Sequence, residues 1–75
     1  MGMGVEVPVW VITTAKNKKY FNPKTKQFVT ELSPDCAISL PTEANNLLKA
    51  LDFGYVVKTA RHYIDIHENK IWMVD

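Results

Sequence analysis

Chemistry-bearing residues are scarce in this chain. Among 75 residues there are one cysteine, two histidines and three glycines. Cys36 has no second cysteine to bridge, so no intrachain disulfide forms. One Cys with His62 and His67 at no clustered spacing does not make a closed zinc site. Two of the three glycines lie at the N-terminus, which leaves little from which to build a phosphate-cradling loop. Paired carboxylates at a defined spacing and a Ser/His/Asp constellation are also missing. The sequence therefore implies a non-enzymatic protein with no cofactor, no metal and no evident small-molecule substrate.

Long apolar runs are equally scarce. Val7 to Ile12 is far too short to span a bilayer. The start lacks the basic segment and apolar run of a secretory signal. With a single cysteine, this leads to the expectation of a cytoplasmic protein with no membrane partner. The apolar share of 47% is ordinary for a folded domain.

A chain of this length makes one domain, residues 1–75, with the first four expected to be frayed. Such a domain buries only about 60–65% of its unfolded surface, so its core is thin. With disulfide and metal set aside, association with a partner or a second copy is the remaining supplement.

The charge is nearly balanced overall, at +1, but unevenly placed. Residues 1–30 hold Lys16, Lys18, Lys19, Lys24 and Lys26 against Glu6. Residues 31–75 hold four basic residues against seven acids. Such asymmetry steers an acidic partner or brings together opposite ends of two copies.

Along the chain, Val5 to Thr14 reads as a strand, and Pro8 marks an edge or a bulge near its start. Ala15 to Lys18 is a turn and Lys19 to Asn22 a short strand. Asn22-Pro23-Lys24-Thr25 has a turn composition, and Gln27 to Thr30 closes a second hairpin. Leu32 to Cys36 is a loop, and Ala37 to Ser39 a short extended piece. Pro41 suits the first helical position, and Glu43 complements the helix dipole. The helix is expected over Pro41–Asp52, with Ala44, Leu47, Leu48 and Leu51 forming one apolar stripe and Gly54 ending it. Tyr55 to Val57 starts the next strand, and Lys58 to Arg61 either continues it or bends.

Arg61 to Asp75 reads as a final hairpin. A Glu68-Asn69 loop would place Ile64, Ile66, Ile71 and Met73 on one face. Tyr63, Asp65, Trp72 and Val74 take the other. The fold class is thus α+β: a small antiparallel sheet in the order β-β-β-α-β-β, with one amphipathic helix packed on one face.

One helix covers one face. Val5–Thr14 is also apolar on both sides, with Trp10 and Ile12 alternating with Val9 and Val11. Two closures of the second face follow. In one, the first strand or the lysine hairpin folds over the final hairpin in a half-open barrel. In the other, Trp72, Tyr63, Val74 and Trp10 form a protein-binding patch that takes a partner or a second copy, as in a homodimer. The alternative function is nucleic-acid binding by Lys16, Lys18, Lys19, Lys24 and Lys26 around Tyr20, through phosphate contact and base stacking.

The succession Trp10-Val11-Ile12-Thr13, Lys19-Tyr20-Phe21-Asn22, Phe28-Val29, Ala37-Ile38 and Thr42-Glu43-Ala44 covers about residues 9–51. It resembles small, mostly uncharacterised domains encoded by phages and prophages of Gram-positive bacteria. Their layout is a strand pair, a short third strand and an amphipathic helix opening near an acidic-Ala pair. The pattern departs at Leu40-Pro41, where a polar cap is expected. The resemblance implies a small accessory protein of the host cytoplasm that binds a host or phage protein. It assigns no functional residue.

Overall fold

A computed structural model describes residues 4–51 and 53–74. Five strands form one antiparallel sheet in the spatial order β3-β2-β1-β4-β5. The strands are β1 (Val5–Thr14), β2 (Tyr20–Asn22), β3 (Gln27–Val29), β4 (Tyr55–Ile64) and β5 (Asn69–Met73). A 3-10 turn, Pro34–Cys36, and one helix, α1 (Pro41–Lys49), connect β3 to β4. The element order and the single helix are those expected from the sequence.

The central ribbon is β1 paired with β4, from Val5↔Ile64 at one end to Thr14↔Tyr55 at the other. The Val5–Ile64 end is the arm, and the Thr14–Tyr55 end is the foot. Lys58 to Arg61 continues β4 without a bend. Ten residues of strand reach about 33 Å, whereas the nine of α1 reach about 14 Å. The helix therefore cannot cover the ribbon along its length.

Strand alternation puts Trp10 and Ile12 on one face and Val9, Val11 and Thr13 on the other. Both faces carry a core, the helix-side one at the foot and the opposite one from the foot as far as Val7 and Ile71. On the helix side, Ile12, Phe21, Ile38 and Ala44 are buried, with Leu47, Leu48 and Leu51 packed against them. Ala44, Leu47 and Leu48 of the expected stripe thus form the contact face of α1, and Leu51 joins them from beyond its end. On the opposite side, Val9, Val11, Tyr20, Cys36 and Ala60 are buried, with Leu32, Ile71 and Met73 around them. The Pro34–Cys36 turn supplies Cys36 to this second core, so a loop covers the face that the helix does not.

The sheet curls toward the helix. Phe28 on β3 and Tyr55 on β4 stack with ring centroids 4.6 Å apart. Three flat strand spacings would hold their backbones roughly 14 Å apart. The result is a half-barrel, and β3 and β5 remain its edges.

Pro8 sits at an edge, as its lack of an N–H requires. Trp10 N–H bonds Ile38 O at 2.9 Å, on the side of β1 away from β4. Pro8 points its backbone the same way by alternation. Its ring therefore blunts the stretch of β1 that β2 does not reach.

Three expectations are corrected. The helix ends at Lys49, because Ala50 N–H bonds Leu47 O and Leu48 O and tightens the last turn. Gly54, at φ 103°, serves the turn into β4 instead. The final hairpin pairs Ile64 with Asn69, not with Met73. Asp65 Oδ1 accepts the His67 and Glu68 N–H groups, each at 2.6 Å, so the loop spans Asp65 to Glu68. Ile66 consequently leaves the core face for the loop and is 83% exposed. Of residues 1–4, expected to be frayed, the first three lie outside the described residues. Gly4 packs so closely under Tyr63 that an added Cβ would overlap the ring.

Candidate functional site

The corrected register moves the pairing by an even number of residues, so each strand keeps its faces. On the helix side of the arm, register lines run Glu6–Tyr63–Lys70 and Pro8–Arg61–Trp72. A third runs Trp10–Thr59–Val74, since Val74 N–H bonds Thr59 O at 3.2 Å. The four residues singled out from the sequence, Trp72, Tyr63, Val74 and Trp10, therefore share one face.

They do not share one exposure. Trp72 is 40% and Val74 55% exposed. Trp10 is half-buried against the helix-side core and forms the border of the patch. Tyr63 is half-buried at the tip, and its hydroxyl donates to Asp65 Oδ2 at 3.0 Å. That bond is the main cause that raises the Tyr63 pKa. The His67 and Glu68 amides hold the Asp65 carboxyl below its ordinary value. The half-open barrel expected from the sequence is present, but the first strand does not close it over Trp72. β1 lies in the same sheet as β5, with β4 between them, so it cannot fold over Trp72.

The opposite face of the arm is also bare at its tip. Val5, Ile64 and Ile66 are exposed there, and His62 is hydrogen-bonded to Asn69. Two-sided apolarity, read from the sequence for the final hairpin and the first strand, is left uncovered by the structure at this end.

The lysine–aromatic set does not come together as expected. Tyr20 is buried in the second core with its hydroxyl donated to Asn17 O, so it offers no stacking face. Lys24 pairs with Asp35 at 3.1 Å, an exposed pair of little energetic weight. Lys24 and Lys26 belong to the β2–β3 turn, beyond the opposite end of β2 from Lys16, Lys18 and Lys19. The latter three line a cleft of about 520 Å³ at the foot, with Thr14, Phe53 and Tyr55. Phe53 is fully exposed and was not singled out from the sequence. Nothing local marks it, because it meets the lysines only through the pairing of β1 with β4.

Among the described residues, no group of three or more His, Cys, Asp or Glu side chains converges to hold a metal. No helix of the described residues is long and apolar enough to cross a membrane. No family model matches the chain, and no curated protein or solved structure matches it.

Proposed function

We propose that this protein acts by binding, and that the arm is its binding surface, with a second copy of the chain as the first partner. The observation that carries this reading is Trp72, 40% exposed on the edge strand β5. Val74 N–H bonds β4, so alternation turns the backbone groups of Asn69, Ile71 and Met73 outward from the sheet edge. Such an edge takes another strand. Two β5 edges paired antiparallel about Ile71 set Lys70 of one copy opposite Trp72 of the other, over the ring face that favours a cation. The contact is isologous, as a two-fold dimer requires.

A stable interface takes about 800 Å² from each partner, roughly 15% of the 5228 Å² surface. Trp72, Val74 and the β5 backbone together supply its centre. A role as a phage-type accessory regulator or inhibitor fits a small domain of this kind, the same face then serving a host or phage protein.

Sedimentation of the wild type and of Trp72→Ala at high micromolar concentration tests the reading. The wild type is expected to be dimeric. Loss of a hot-spot Trp weakens the dimer by about 30-fold or more. The circular dichroism of the variant remains that of the folded monomer. A wild type that stays monomeric removes the homodimer.

A further inference from the structure

The cleft at the foot is remote from Trp72 and is not used by the arm. Its rim is the β1–β2 turn, and that turn is held from several sides. Thr13 Oγ1 donates to Lys19 O at 2.7 Å, and Thr14 Oγ1 accepts Lys18 N–H at 2.8 Å. Lys58 reaches in from β4 and donates its Nζ to Ala15 O at 2.7 Å and to Asn17 Oδ1 at 2.9 Å. Asn17 itself takes the left-handed region, φ 56°, which Asn tolerates.

A backbone fixed in this way presents Lys16, Lys18 and Lys19 together, all exposed. Among the described residues no carboxylate pairs with any of the three. Lys58 adds a fourth positive charge beneath the turn. The opposite wall is aromatic. Phe53 stands fully exposed beside Gly54, and Tyr55 is stacked on Phe28. The lining is largely apolar between the lysines and the ring, and the cleft is open to solvent.

We infer that this cleft binds single-stranded nucleic acid, with phosphates on Lys16, Lys18 and Lys19 and a base stacked on Phe53. A cleft of about 520 Å³ is of the size that takes small ligands and admits a nucleotide. Its openness suits a chain that passes through. An exposed ring face beside a basic rim is the arrangement that binds single strands without sequence preference, since every base has a π-face. An acidic peptide would use the lysines but give Phe53 no comparable stacking partner. Lys24, Lys26 and Tyr20 have no part in this site.

The test is fluorescence anisotropy of a short labelled oligothymidylate with the whole chain. Three phosphate contacts give log K against log salt a slope of about −2, or about 20-fold weaker binding between 50 and 200 mM salt. Phe53→Ala is expected to weaken binding about tenfold at fixed salt. Phe53 is fully exposed, so the substitution leaves the fold intact. Replacing Lys16, Lys18 and Lys19 by Gln abolishes binding and its salt dependence, whereas Lys24→Gln with Lys26→Gln changes little. No binding at low salt overturns the proposal. So does binding that Phe53→Ala leaves unchanged, or binding that polyglutamate displaces as well as unlabelled oligonucleotide does.

Discussion

The two ends of the β1–β4 ribbon share one register and differ in everything laid upon it. At the foot, Ile12 pairs with Val57 beneath α1, and Ile12 is fully buried. At the arm, Val5 pairs with Ile64 in the same ladder, and they stand 58% and 44% exposed. β-branched and aromatic residues fill both ends, so strand propensity does not separate them. What separates them is reach. α1 and the Pro34–Cys36 turn lie over opposite faces, and neither core includes the Val5–Ile64 tip. A two-faced strand needs two covers, and the described elements supply both away from the tip of the arm.

Paired substitutions break the comparison most sharply. Ile12→Ala is expected to cost about 3–4 kcal/mol, most of the stability of so small a domain. Ile64→Ala is expected to cost less than about 1 kcal/mol in the dilute monomer, because its side chain already meets water. Urea unfolding of the two variants measures both. Equal losses would mean that the arm is as well packed as the foot.

A smaller effect lies in the arm's own loop. Asp65 is held below its ordinary pKa of 3.8, first by the His67 N–H and also by the Glu68 N–H. Its folded value is depressed, so its contribution is fully present above that ordinary value. It is lost as the pH falls through the folded value. The His67 and Glu68 amide resonances should shift together in that acid window while those of the foot stay fixed. Asp65→Ala should abolish the shift. A transition shared by foot and arm would show that the loop is not an independent unit.

Much of this division was legible in the sequence, and the limits have physical causes. The Ala44, Leu47, Leu48 and Leu51 stripe specified the helix and its contact face, because helical spacing is a local property. The apolar faces of the last hairpin were legible too, although its register was not. Asn69 suggested a two-residue loop, but the Asp65 carboxylate captured two amides and made a longer one. Trp72 and Val74 kept their common face because the difference was even. The cover supplied by Cys36 carried no signal, since it comes from a loop whose composition looks like any other. The foot cleft was legible only in its lysines. Phe53 joins them across a β1–β4 pairing between residues some forty positions apart, and no local pattern carries that information.

The most direct test of an unfinished arm is amide hydrogen exchange of β5 at two protein concentrations. The outward amides of Ile71 and Met73 should exchange rapidly in dilute protein and become protected at high micromolar concentration. Foot amides such as that of Thr13, which bonds within the ribbon, should be equally protected in both. Rapid exchange of Ile71 and Met73 at every concentration would contradict closure of the β5 edge by a second copy.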